Sequence, residues 1–397
     1  MATLQGNIRL AEALVKRGAP VTDLELYDAV RWHSTNFEFL DLFLRVLAGK
    51  HCAAPSTYAK AIEGRNASSI VQRLLNAGVD PRGKIVPDDL QSPTITHNLH
   101  FDIDEKLLES VLERAVVLQG GKFLHILLHI ASWTRQDKGR ALTLCLAHNK
   151  HHLIQVLLDA EADVNQELMI ASDYITPLVI AIKMQNYPLT KKLLSAGADI
   201  KWTPPACMHG PTMLQRAVDA GDKEIVKLLL LSGADVNESA SSRGGKTALQ
   251  QATHNGNIEL VDTLLTAGAD VNQGPALEGG ATALQFASIR GYIGIARRLL
   301  DEGADIDAPR SLYFGRTALE GAAGSGRIDT LHLLLVEGAS VHGTGRKQYV
   351  RAIKLAESRT HYAAAELLRD FGGWDEEDAR QQESELFDFE EWCTTHE

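Results

Sequence analysis

The chain has 397 residues, 45% hydrophobic and 23% charged, with a formal net charge of −11. That is the balance of an ordinary soluble protein, and no stretch approaches the roughly 18 uninterrupted apolar residues of a membrane span. Ten acidic side chains against the single Arg380 crowd residues 375–397, so the remainder is near neutral and offers no broad basic face to a nucleic acid duplex.

The opening MATLQGNIRLAEALVKRG lacks the apolar run of a signal peptide. Residues 6–20 read as one helix and a turn, the second half of a helix pair. The chain therefore opens mid-unit, either as a shortened cap or inside a longer array. Residues 24–47, 57–81 and 105–131 carry paired apolar helical patterns. Residues 140–165 form another pair, ending in Ala162-Asp163-Val164-Asn165, with Glu161 where later turns have glycine. From there a period becomes explicit. Thr176 precedes Thr212 by 36 residues, and Thr212, Thr247, Thr282 and Thr317 follow at steps of 35. Gly197, Gly233, Gly268, Gly303 and Gly338 keep the same step, as expected of a solenoid.

Within one period, Thr247 is placed to cap a first helix through Ala248, Leu249 and Ala252 that stops near Gly256. A second helix sets Ile258, Val261, Leu264 and Leu265 on one stripe and ends at Gly268, before a turn at Asp270 and Asn272. Neither helix can bury its apolar side alone, so the core lies between units. Residues 348–373 read as a closing unit and 374–397 as an acidic tail.

These phrases resemble the ankyrin repeat, whose consensus runs T-P-L-H-x-A, G-H-x-E-I-V-x-L-L-L and G-A-D-V-N. The likeness is carried by Thr176-Pro177-Leu178, Thr247-Ala248-Leu249-Gln250, Glu224-Ile225-Val226 and Gly233-Ala234-Asp235-Val236-Asn237, and is clear over 175–342. The T-A-L-Q variant departs at the proline and histidine, which is expected to loosen the helix start. The resemblance implies an all-α solenoid of stacked helix pairs with projecting finger loops. The array would span 1–373, degenerate over 1–139, clear over 140–342 and capped by 348–373.

The resemblance also implies binding of a protein or peptide on the concave face of the first helices and on the fingers. That face maps onto Leu144, His148, Lys183, Met184, Arg216, Asp219, His254, Asn255, Phe286, Ile289 and Arg290. The fingers add Met169, Tyr174, Trp202, Met208, Leu277, Tyr313 and Phe314, large groups of the kind that anchor interfaces. The expected binding residues are Lys183, Met184, Trp202, Arg216, Asp219, His254, Asn255, Phe286, Arg290 and Tyr313.

Catalytic and metal chemistry leave little trace. His125 and His129, and His148 and His152, stand four apart, but no HExxH accompanies them and no metal site is expected. Cys52, Cys145, Cys207 and Cys393 are scattered without a CxxC, which suits a reducing compartment, cytoplasmic or nuclear. GTGRK at 343–347 lacks the spacing and the hydroxyl of a phosphate loop, and no cofactor is expected. Asp219 and His254 hold equivalent positions in adjacent repeats, with Arg216 and Arg290 nearby. An alternative reading is therefore an enzyme or small-molecule binder that uses this face for acid–base work or for an anionic ligand. A further alternative is regulation through the tail, where ESELFDFEEW (383–392) sets Leu386, Phe387, Phe389 and Trp392 among carboxylates. That segment suits either a docking peptide or a short helix packed on the last unit. The expected partner is another protein or peptide, neither nucleic acid nor membrane; the oligomeric state is not legible.

Overall fold

Thr212, Thr247, Thr282 and Thr317 each adopt extended backbone at the first position of a helix. Each hydroxyl accepts the backbone N–H three residues on, at 3.2 Å from Gln215, Gln250 and Gln285 and 3.3 Å from Glu320. The same Gln or Glu side chain accepts the threonine's own N–H at 3.0–3.1 Å. Two backbone donors that the helix cannot satisfy are thereby met reciprocally. The computed structural model in which these bonds are seen describes residues 7–33, 37–47, 52–64, 66–82, 110–119, 123–170, 173–204, 210–239 and 245–380.

Glutamine also does something the consensus comparison did not anticipate. Gln250 donates from Nε2 to the carbonyls of Gln273 and Gly274 at 3.0 and 3.1 Å. Gln285 does the same to Ala308 and Pro309 at 2.9 and 3.1 Å. One side chain thus caps the first helix and holds the root of the finger that follows. The expected loosening of the helix start is corrected: glutamine supplies both an acceptor and a donor here. In the last repeat Glu320 keeps the capping acceptor and pairs instead with Arg351 at 3.4 Å.

The chain divides into two compact units, 1–181 with 192–199, and 182–191 with 200–397. In the first, α1 (Ile8–Lys16) precedes the pairs α2 (Asp23–Trp32) and α3 (Glu38–Leu47), α4 (Pro55–Glu63) and α5 (Ala67–Asn76), α6 (Val111–Gln119) and α7 (Leu124–Ile130), and α8 (Arg135–Ala147) and α9 (Ile154–Asp159). Helices α2, α4, α6 and α8 pack in succession. Here the threonine cap returns with an acid in place of glutamine, Glu25 accepting Thr22 N–H at 2.9 Å on α2 and Thr134 and Asp137 exchanging bonds at 3.1 Å on α8, and other groups act beside it. The Asp23 carboxylate caps α4 from a distance, accepting Ser56 N–H at 3.1 Å and Thr57 N–H at 3.0 Å. Buried Arg114 pairs with Glu63 at 2.5 Å, and buried Glu113 accepts from Arg140 at 2.8 Å. A small antiparallel hairpin, β1 (Leu168–Ile170) with β2 (Asp173–Ile175), pairs Leu168 with Ile175 and Met169 with Tyr174. The pair α10 (Pro177–Lys183) and α11 (Tyr187–Ser195) supplies residues to both units.

The second unit continues with α12 (Met213–Ala220) and α13 (Lys223–Leu231), α14 (Ala248–His254) and α15 (Ile258–Thr266), α16 (Ala283–Arg290) and α17 (Ile293–Asp301), α18 (Ala318–Gly324) and α19 (Ile328–Val336), and α20 (Arg346–Ser358) and α21 (Tyr362–Gly372). First helices form one row, α12 to α20, and second helices another, α13 to α21. The core lies between them, on Ala252, Leu260, Val261, Leu264, Ala287, Ile295 and Leu299. On α15 Val261 and Leu264 are buried as expected, and the stripe differs at its first residue. Leu260 is fully buried, whereas Ile258, the first residue after the Asn257 cap, stands 43% exposed at the helix mouth.

Turns are tied by asparagine. Asn237 donates to Gly268 O at 3.0 Å and accepts Asp270 N–H at 2.7 Å. Asn272 repeats this with Gly303 and Asp305 at 2.9 and 2.7 Å, as Asn165 does with Gly197 and Asp199 in the first unit at 3.1 and 2.7 Å. Close helix packing sets a second constraint on α18. A Cβ placed on Gly321 would lie 2.6 Å from Ile289 Cγ1, so α16 can approach only because that side chain is missing.

Gln285→Ala should therefore lower unfolding free energy by about 1–3 kcal/mol, through the buried groups it leaves unpaired. Gly321→Ala should cost about 1–3 kcal/mol by overpacking, although alanine is the better helix former. Urea denaturation of both variants against the parent measures this, and Gly321→Ala matching or exceeding the parent would refute the packing argument.

Candidate functional site

Counting from each capping threonine, positions four, seven and eight of the first helix face away from the second helix. In the second unit position four gives Arg216, Gln251 and Phe286. Position seven gives Lys183, Asp219, His254 and Ile289, and position eight gives Met184, Asn255 and Arg290. A cleft of about 670 Å³ opens on this face, lined by Lys183, Arg216, Asp219, Gln251, His254 and Asn255, with Lys246 at its edge.

Its polar groups are linked. Arg290 Nη2 approaches His254 Nε2 at 2.9 Å, and His254 Nδ1 lies 3.4 Å from Asn255 Oδ1. An arginine can only donate, so Nε2 must accept and the proton sits on Nδ1, facing the asparagine. Burial, then Lys246, pushes the His254 pKa below its ordinary value, which keeps the ring neutral in this role. Asn255 and Gln251 in turn donate to Asp219 Oδ1, at 3.5 and 2.7 Å. Phe286, buried, meets the His254 ring edge-on with centroids 5.2 Å apart, and Lys246 Nζ lies 5.8 Å above the same phenyl ring.

The structure thus gathers Lys183, Arg216, Asp219, His254, Asn255, Phe286 and Arg290 into one neighbourhood. Met184 is half-buried and does not line the cleft. Trp202 is half-buried in its finger, and Tyr313 stands 58% exposed on another, outside the cleft. The Tyr313 finger is rigidly held: Gly279 N–H donates to Tyr313 O at 2.9 Å, and Tyr313 N–H to Leu277 O at 3.1 Å. Met208, Cys207, Cys393 and the segment 383–392 lie outside the described residues. Leu144 is a correction: it is only 3% exposed, turned into the core of the first unit because α8 carries an unbroken run of buried residues. His148 is largely buried there as well.

Lys246, Gln251 and Gln185 were not expected in the site. Gln251 shares the register of Arg216 and Phe286, so the period could have found it. Lys246 sits one residue before a cap, a place the helical pattern does not reach. Gln185, in left-handed backbone, donates to Ala220 O at 2.7 Å and closes the end of α12.

The chemistry these groups favour is the holding of negative charge. Asp219 is bound to amides rather than to His254, so the two do not form an acid–base pair. Lys183, Arg216 and Lys246 line the cleft with Asp219, its one carboxylate among the described residues, and Arg290 adjoins it through His254. Among the described residues no three His, Cys, Asp or Glu side chains converge as metal ligands.

This repeating frame has known counterparts. Residues 178–275 match the family model for three ankyrin repeats, and 279–311 that for a single ankyrin repeat. Residues 178–311 are ankyrin repeats, and the fold is the all-α architecture of stacked helix pairs. Ankyrin repeat and SAM domain-containing protein 6 of Rattus norvegicus is 37% identical over 83 residues, 21% of this chain and 9% of that protein. The Mus musculus protein of the same name is 39% identical over 77 residues, 19% of this chain and 8% of its own length. The chain therefore spans less than a tenth of the relatives it matches here. Among the described residues no helix is long and apolar enough to cross a membrane.

His148 gives a test of burial in the first unit. Its pKa is pushed down to about 4 by burial and by Lys150. The unfolded chain takes up this proton near pH 6.5 and the folded chain does not. Stability from this group is complete above pH 6.5 and declines as pH falls toward 4. The urea midpoint should drop between pH 7 and 5, and His148→Asn should shrink that drop; an unchanged drop would place the burden elsewhere.

Proposed function

We propose that this chain is a protein-interaction module whose second unit receives an acidic segment of a partner in the first-helix cleft. Ankyrin repeats are generally protein–protein interaction modules. The observation that carries the reading is the set of cations around one carboxylate, set in a pre-built cleft whose histidine is neutral and fully engaged. Rigid helices present these groups, so binding orders little of the scaffold and spares its conformational entropy. The exposed finger residues Leu277, Leu312, Tyr313 and Phe314 provide an apolar second contact outside the cleft. A reducing cytoplasmic or nuclear setting suits the buried Cys145 thiol, whose pKa burial raises to about 12.

The test is a photo-crosslinker at Gln251 in the full chain. It should trap a discrete partner protein. Arg216→Glu with Lys246→Glu should cut the yield by about tenfold or more, as loss of a central contact of over about 1.4 kcal/mol requires. Leu231→Ala, on the exposed end of α13, should leave it intact. Equal yields from all three proteins would remove the cleft from the interface.

A further inference from the structure

The cations of the cleft belong to a longer series. Arg316 holds the place before its cap that Lys246 holds two repeats earlier, and Arg359 in the closing unit holds the place of Arg290. At these face positions the second unit, among its described residues, carries six cations and one acid, Asp219. The six are Lys183, Arg216, Lys246, Arg290, Arg316 and Arg359. Glu320 lies beneath them, 3% exposed and paired with Arg351. Burial first, and then the neighbouring Arg359, push the Arg316 pKa down, with Glu320 opposing them. In a chain of net charge −11, such a strip is a local inversion.

The matching charge is in the same chain. Residues 381–397 contain six acidic side chains and no Lys or Arg, with Phe387, Phe389 and Trp392 interspersed. The described chain leads into them from a fixed point. Asp378 accepts from Arg346 Nε at 2.7 Å, and Arg346 also donates to Gly372 O at 2.9 Å, at the first turn of α20. Helix α20 runs parallel to α18, since Glu320 meets Arg351 and Gly324 abuts Leu355. The tail therefore departs from the capped end of the row, the end that bears Arg316 and Lys246. Three steps of roughly 8–10 Å separate α20 from α14. An extended chain covers about 3.3–3.6 Å per residue, so nine residues beyond Arg380 span that distance.

We propose that the acidic–aromatic segment 383–392 of this chain occupies the cationic strip of its own second unit and competes there with an external partner. Its carboxylates meet the cations within that reach, Arg359, Arg316, Arg290 and Lys246, and its rings lie against guanidinium planes, an arrangement favoured by both charge and ring quadrupole. The proposal rests on the binding surface described under Proposed function and adds its regulation. Tethering holds the segment at an effective concentration on the order of millimolar, so even a weak contact keeps the strip filled.

A labelled peptide of residues 381–397 tests this by fluorescence anisotropy against two full-length proteins. One is the unmodified chain; the other carries Glu383→Gln, Glu385→Gln, Asp388→Asn, Glu390→Gln and Glu391→Gln. The neutralised chain should bind the peptide about tenfold more tightly, because its own tail no longer competes. Adding Lys246→Glu and Arg290→Glu to it should weaken the peptide by about tenfold, and raising salt from about 50 to 300 mM should weaken it likewise. Equal affinity for the two chains, or binding indifferent to both charge reversal and salt, overturns the proposal. Light scattering should give one chain per particle; a dimer that dissociates on tail neutralisation would assign the segment to a second copy and overturn the intramolecular contact. Should the peptide fail to bind while Arg216→Glu with Lys246→Glu still loses the crosslinked partner, self-occupancy falls and the binding surface stands.

Discussion

The structure depends on one bifunctional side chain set three residues after a threonine. A helix start leaves backbone donors without partners, and a finger loop leaves carbonyls without partners. Gln250 and Gln285 answer both needs at once, with an oxygen toward the cap and a nitrogen toward the loop. Because these glutamines are buried, neither bond can be exchanged for water, and their loss leaves several groups unsatisfied together. Helix direction and finger position are consequently fixed by the same residue, and the face that the first helices present is fixed with them.

That coupling explains what could be read from the sequence. The threonine period located the helix starts, and the face positions counted from it brought seven residues into one neighbourhood. Gln250 was legible as a departure from the consensus, but not as a bridge, because its donor end acts more than twenty residues away along the chain. The α15 stripe held at Val261 and Leu264 but not at Ile258, since periodicity alone cannot tell which end of a helix emerges from the stack. In the first unit the threonine caps of α2 and α8 carry an acid instead of glutamine, and added to them are buried ion pairs such as Arg114 with Glu63 and a remote cap from Asp23. These groups lie tens of residues apart in sequence, so local pattern offers no sign of them. Leu144 turned inward for a related reason: residues 141–147 of α8 are buried on every side, and a register copied from amphipathic helices does not hold there.

Electrostatics gives the second unit its character. The cations of its first-helix face are spread over successive repeats, one in each, and no short window looks basic. Bulk charge pointed the other way, toward an acidic chain. Only the superposition of repeats assembles them into a strip, with a neutral histidine and a phenyl ring at its centre. The acidic tail was conspicuous in sequence for the same reason that the strip was not: its charges are contiguous.

The asparagine ties have a consequence for how such a protein can change. Asn272 fastens the turn at one root of a finger, and Gln250 fastens the carbonyls just beyond it, while Thr282 fixes where the chain re-enters a helix. Apart from the ties of Leu277 and Gly279 to Tyr313, what lies between these anchors carries little of the stacking energy. Lengthening a flexible loop costs only about 0.6 kcal/mol per doubling. Residues can therefore be inserted or exchanged in a fingertip without disturbing the register beneath, and new specificities can be sampled there while the helical frame remains as it is.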